Sequence, residues 1–193
     1  NELGIDKVLI VAGASDNSQK MANAFAHEWK KNHSKPTILH LTGDPKMHAQ
    51  KIRDTLGVDE SEARYQKIHE AMPGQALRFM ATRRDDLQAI FLALNEKEAT
   101  KAVSLLHYYF AGDLPLIGTS AIQSPNAFNL SHDLHQVKWP QSTYLAERTA
   151  PTLSLNALMQ QVQQSYPDLM KSKRHFLALG VDDSNPCNCL VQV

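Results

Sequence analysis

Short apolar runs alternate along this chain with stretches of helical periodicity. The run Lys7-Val8-Leu9-Ile10-Val11-Ala12 is apolar after its first residue and closes at Gly13. A run with no polar alternation reads as a parallel strand buried on both faces. Asp16 or Asn17 is placed to cap the helix that follows. Met21, Phe25 and Trp29 recur every four residues and form its expected buried stripe, and Lys30, Lys31 and His33 fall near its negative dipole end. A second strand is expected at Thr37-Ile38-Leu39-His40-Leu41. Gly43-Asp44-Pro45 then opens a helix, with Asp44 as cap and Pro45 at the first helical position. Ile52 and Leu56 face inward, and Gly57 ends it. A charged helix from Asp59 to Met72 stops at Pro73-Gly74.

The clearest strand is Ala89-Ile90-Phe91-Leu92-Ala93-Leu94. Asn95 caps the next helix with Glu98 in the capping-box position, and Ala99, Ala102, Val103, Leu106 and Tyr109 line its inner face. Gly112 is the expected left-handed stop. Leu116-Ile117-Gly118-Thr119 and Gln136-Val137-Lys138-Trp139 predict a fourth and a fifth strand. A last helix is expected over Ser154–Ser165, with Leu155, Leu158, Met159 and Val162 inward. Gln123–His132 and Pro140–Pro151 read as loops. This alternation predicts an α/β fold in three layers, built on a mostly parallel five-stranded sheet covered on both faces. A flavodoxin-like strand order is expected, with Lys7–Ala12 and Ala89–Leu94 central.

Composition narrows the function classes. A length of 193 residues fits about one domain, and 42% apolar residues supply a core. Lysine plus arginine equals aspartate plus glutamate, 20 against 20, so the chain lacks the basic excess that a nucleic-acid partner or an anionic lipid surface requires. No apolar run reaches the ~18–20 residues of a membrane span. The chain opens Asn1-Glu2-Leu3-Gly4 rather than with Met, as a processed or excised piece would.

Few residue sets carry chemistry. The turn Gly13-Ala14-Ser15-Asp16 opens a helix where a phosphate could sit, but neither GxGxxG nor GxxxxGK[ST] is present, and an ordinary strand-to-helix turn is the favoured reading. His132-Asp133-Leu134-His135 has two ligand-type residues three apart and needs a third from elsewhere to hold zinc; a solvated loop is favoured. Ser15 and Ser120 lack a nucleophile elbow. Cys187 and Cys189 read as part of a frayed polar tail rather than a metal pair or a strained ring disulfide. Arg83-Arg84-Asp85-Asp86 reads as a solvated, self-paired turn. Most of the Tyr108, Tyr109 and Phe110 cluster is expected in the core, with one ring exposed as a binding candidate, since three consecutive helical residues cannot share a side. No catalytic residue, metal or cofactor is expected.

Several runs resemble the LppC/LpoA lipoproteins, outer-membrane lipoproteins of Gram-negative bacteria that activate penicillin-binding proteins. They are Val58-Asp59-Glu60-Ser61-Glu62-Ala63-Arg64, Arg84 to Asn95, Tyr108-Tyr109-Phe110-Ala111-Gly112-Asp113-Leu114-Pro115 followed by Gly118-Thr119-Ser120, and Phe176-Leu177-Ala178-Leu179-Gly180-Val181-Asp182. They fall in the family's order over roughly residues 1–182. The family's Asp-x-Pro-Trp run is reduced here to Trp139-Pro140, and the tail after Asp182 departs from it.

The resemblance implies one lobe, residues 1–182, of a two-lobe domain like a type I periplasmic binding protein, followed by a divergent or disordered tail over 183–193. It implies a non-catalytic regulator of peptidoglycan synthesis at the periplasmic face of the outer membrane, held by a lipid anchor outside this fragment. Its partner would be a bifunctional penicillin-binding protein, activated in its transpeptidase by direct binding. The alternative is a periplasmic solute-binding lobe, with a small ligand in an interlobe cleft at the carboxyl ends of the strands. The expected cleft-facing residues are Ser15, Asp16, Asp44, Asn95, Glu96, Thr119, Ser120 and Trp139.

Overall fold

The computed structural model describes residues 4–72, 78–122, 134–141, 161, 164–166 and 191–192. Five parallel strands form one sheet: β1 Val8–Ala12, β2 Thr37–His40, β3 Ala89–Ala93, β4 Leu116–Gly118 and β5 Val137–Lys138, in the order β2-β1-β3-β4-β5. This is the expected flavodoxin-like order, with β1 and β3 as neighbours in the interior. Every residue of both is buried, which is why neither shows polar alternation. Pro140–Gln141 (β6) and Val191–Gln192 (β7) pair antiparallel, within segments read from sequence as a loop and a tail. The helix expected over Ser154–Ser165 lies outside the described residues except for helical Gln161, Gln164 and Ser165. Cys187, Cys189, His132, Asp133 and the Phe176–Asp182 run lie outside them entirely.

Helix α1 (Asp16–Trp29) covers one face; α2 (Lys46–Thr55), α3 (Val58–Ala71) and α4 (Glu96–Tyr108) lie on the other. The pleat divides the core accordingly. Leu9, Val11, Ile90 and Leu92 point to the three-helix side, where Ile52, Leu56, Val103 and Leu106 are fully buried. Val8, Ile10, Phe91 and Ala93 point to α1, whose Ala22 and Ala26 are buried. The α1 stripe is a correction to the sequence reading: Met21, Phe25 and Trp29 are only partly buried, and they flank the small residues that allow close approach. The register sets Ile10 beside Phe91 and Phe91 beside Ile117, so the three share that face. The Phe91 ring stacks on Phe25 at 3.9 Å between centroids, whereas Ile117, beyond the reach of α1, is 38% exposed.

The helix caps are local chemistry. Ser15, not Asp16 or Asn17, caps α1: its hydroxyl accepts from the Ser18 N–H at 3.1 Å. Asp44 does act at the start of α2, accepting from the Lys46 N–H at 2.9 Å, though the helix begins one residue after Pro45. Gly57 takes φ +71 and turns the chain from α2 into α3. Arg53 braces that turn, pairing with Asp59 and with Glu62 at 2.7 Å.

Helix α4 ends earlier than its sequence suggests. The left-handed residue is Phe110, at φ 64, and Gly112 has no positive φ. Phe110 N–H donates to His107 O and Ala111 N–H to Leu106 O, the paired bonds of a Schellman closure. Burial of Ala111 beside Leu106 places the turn there. Asp113 receives the Arg83 guanidinium through two bonds, at 2.7 and 3.3 Å, and the Arg83 side chain is 14% exposed. Of the charged turn before β3, only Arg84 and Asp86 are paired with each other.

Polar groups lock the amino edge of the sheet. The Gln88 side-chain carbonyl accepts from the N–H groups of Asp6 and Lys7, and Asp86 pairs with Lys7 as well as Arg84. The Asp6 carboxylate accepts from Ser34, and the Trp29 indole donates to Asp6 O at 3.2 Å.

Two predictions follow from this packing. Phe91→Ala should cost about 3–5 kcal/mol, because it removes an aromatic ring enclosed by Phe25 and the strand neighbours; urea unfolding checks it. The second concerns acid. Ser34 holds the Asp6 carboxyl below its ordinary value, Arg84 that of Asp86, and Arg83 that of Asp113. A depressed carboxyl contributes stability above its unfolded pKa, near 3.9, and loses it as pH falls through the folded value. Urea midpoints should therefore fall as pH drops below about 4, and Asp86→Asn should make that decline shallower.

Candidate functional site

The strand order reverses between β1 and β3: the chain leaves β1 toward β2 by way of α1, and leaves β3 toward β4 by way of α4. Loops diverge at such a point, and a crevice opens at the carboxyl ends of the strands. Here a cavity of about 250 Å³ lies there. Ala14 supplies one wall after β1, Leu41, Gly43 and Pro45 a second after β2, and His48 of α2 meets Lys97, Lys101 and Leu105 of α4 across it. The Lys51 ammonium donates to Thr42 O at 2.8 Å and so braces the β2–α2 loop that forms one side.

The capping box of α4 shapes the floor. Asn95 accepts from the Glu98 N–H at 3.0 Å, and Glu98 returns a carboxylate oxygen to the Asn95 N–H at 3.2 Å. A methyl on Gly13 would lie 2.5 Å from that same carboxylate, so glycine at the end of β1 is what lets the box close. Glu98 is thereby committed. The Lys97 and Lys101 ammonium groups make no hydrogen bond or ion pair among the described residues, and the buried His48 Nε2 has no partner there.

The eight expected cleft residues divide. Topology puts all of them at or next to strand carboxyl ends, but only the capping function of Ser15, Asp44 and Asn95 is locally defined. Asp16 is exposed and pairs with Lys20 at 2.7 Å, one helical turn on. Glu96 uses its carbonyl to hold the Thr100 hydroxyl. Ser120 starts a 3-10 turn, Ser120–Ile122, and is half-buried. Thr119 and Trp139 are different: the Thr119 hydroxyl and the Trp139 indole nitrogen are both buried without a partner. None of the eight lines the cavity itself. Sequence reasoning missed His48, Lys97 and Lys101. The only advance signal was that Lys97 and Lys101 are four apart on a helix whose start caps a strand end.

Among the described residues, no group of three or more His, Cys, Asp or Glu side chains could hold a metal, and no helix is long and apolar enough to cross a membrane. Nothing in the crevice pairs a nucleophile with a base.

Gly13 and Glu98 should be coupled. Gly13→Ala is expected to cost about 1 kcal/mol by pushing Glu98 off the Asn95 N–H. In a Glu98→Ala background the same change should cost clearly less, a non-additivity that a double-mutant cycle measures directly.

Comparison with known proteins matches this architecture. A penicillin-binding protein activator LpoA from Vibrio cholerae serotype O1 is 23% identical over 175 residues, which is 90% of this chain and 28% of that protein. The LpoA of Photobacterium profundum is 22% identical over 187 residues, 96% of this chain and 29% of that protein. The chain thus spans under a third of the length of the curated relatives it matches. Among solved structures, an extracellular ligand-binding receptor from Verminephrobacter eiseniae superposes with a TM-score of 0.54 at 12% identity, covering 97% of this chain and 48% of the receptor. That likeness establishes the fold, a periplasmic-binding-protein-like α/β lobe. A family model described as "LppC putative lipoprotein" matches residues 2–192, and the chain belongs to that family.

Proposed function

We propose that this chain is one lobe of a periplasmic lipoprotein, anchored in the outer membrane, that activates a penicillin-binding protein by binding it. The family match over nearly the whole chain carries the reading, together with relatives named as penicillin-binding protein activators. On this proposal residues 1–182 form one lobe of a two-lobe domain. The strand carboxyl edge, with Ser15, Asp16, Asp44, Asn95, Glu96, Thr119, Ser120 and Trp139, is the side that the second lobe closes over. The protein regulates and does not catalyse. It favours the active conformation of the transpeptidase, and a tenfold activation needs about 1.4 kcal/mol of differential binding.

The test uses the intact parent lipoprotein and a purified bifunctional penicillin-binding protein supplied with lipid-linked peptidoglycan precursor. Cross-linking should rise with added lipoprotein and saturate, while the lipoprotein alone forms no cross-links. Saturating binding without a change in cross-linking would remove the activator role, and absence of binding would remove the partner.

A further inference from the structure

We propose that the outer half of helix α3 is the seat of another segment of the parent polypeptide, one that lies outside these 193 residues and lays an apolar stripe against it. Helix α3 packs on the lobe only at its start. Val58 and Ser61 are buried, but from Ala63 to Met72 every residue except the half-buried Tyr65 is exposed. The packing face continues nonetheless. Tyr65, Ile68 and Met72 follow Ser61 at helical spacing, on the side that Ser61 turns to the lobe. Ile68 is 50% exposed and Met72 42%. The stretch that returns toward β3 widens this face: the Thr82 N–H donates to Ser61 Oγ at 3.3 Å, and Phe79, 40% exposed, stacks on Tyr65 at 4.4 Å.

The kind of cover follows from stability, area and charge. Most helical stability comes from packing an apolar face, and a helix of 14 residues is marginal alone. Cover present only during a brief encounter would leave the outer turns frayed the rest of the time. The patch is also small. Ile68, Met72, Phe79 and the visible part of Tyr65 offer roughly 300 Å², taking about 150–250 Å² for a large side chain. Separate chains, or two copies of this one, need about 800 Å² on each side. A tethered segment needs less, because its effective concentration is on the order of millimolar. Helix α3 carries Glu60, Glu62 and Glu70 against Arg64 and Lys67, so no single-sign field steers a separate partner onto it. The polypeptide to supply the cover exists in the relatives, of which the shared stretch is only 28% and 29%. This inference rests on the reading of the chain as part of a longer lipoprotein, but not on activation of a synthase.

Peroxide oxidation of Met72, followed by mass spectrometry on the intact parent lipoprotein, tests the proposal, with the urea-unfolded protein as the reference. Without synthase, Met72 should oxidise roughly tenfold more slowly than in the unfolded chain, at a rate independent of protein concentration. Ile68→Asp should return Met72 to within about threefold of the reference. The β3 amides should stay protected from hydrogen exchange in that variant, since Ile68 lies outside the lobe's core. Fast oxidation of Met72 in the unaltered parent overturns the proposal. Protection that appears only with added synthase, or only at high protein concentration, assigns the face to a separate partner or a second copy and overturns it too. So does protection that survives Ile68→Asp, which would come from within the lobe. Cross-linking measured on the same samples reports on the activator reading separately.

Discussion

The pairing of β1 with β3 is the constraint from which the rest of this lobe follows. The two strands match residue for residue, Val8 to Ala89 through Ala12 to Ala93, and every residue on both is buried. Burial of a large aliphatic side chain stabilises by about 1.5–3 kcal/mol, so this pair is the densest source of stability in the described structure. It also dictates the architecture. Adjacent parallel strands cannot be joined by a hairpin, so the chain must cross over, and each crossover delivers helices to a face that must be covered. The excursion through α1 and β2 covers one face, and that through α2 and α3 covers the other. The crevice is a by-product of the same arrangement, because the connections leaving β1 and β3 go opposite ways.

Stability and site meet at the Glu98 carboxylate. Its bond to the Asn95 N–H secures the start of α4 and requires that β1 end in a residue without a side chain. The bond also fixes that carboxylate in the lining of the crevice, on the same helix as Lys97 and Lys101. A local capping interaction, of a kind found in many helices, thereby orients an acid in a cavity some distance from any conspicuous motif.

What could be read from the sequence follows the range of the interaction concerned. Continuous apolar runs marked β1 and β3, and Asn95 with Glu98 marked the start of α4, because each depends on residues within a few positions. Local propensity failed where several good answers adjoin: Ser15, Asp16 and Asn17 are all strong caps, and only the geometry of the turn selects Ser15. At the end of α4 the preference for glycine pointed to Gly112, yet the closure occurs at Phe110 because Ala111 must bury against Leu106. Non-local pairs were not legible at all. Arg83 and Asp113 lie 30 positions apart, and nothing in either neighbourhood announces the partner. The same holds for the crevice, since His48 faces Lys97 and Lys101 only after α2 and α4 have packed side by side.

The two edges of the sheet differ in how their polar groups are satisfied. At the amino edge Gln88, Asp86, Asp6, Ser34, Lys7 and Trp29 bond to one another and to backbone. Of the four buried side-chain atoms without partners among the described residues, His107 Nε2 belongs to the far end of α4. The other three, His48 Nε2, Thr119 Oγ1 and Trp139 Nε1, lie beside the carboxyl ends of β2, β4 and β5. Buried polar atoms are rarely left unpaired without a reason, because each costs about 1–3 kcal/mol. One edge is closed by its own hydrogen bonds; at the other, three polar atoms are enclosed beside strand ends with no partner among the described residues.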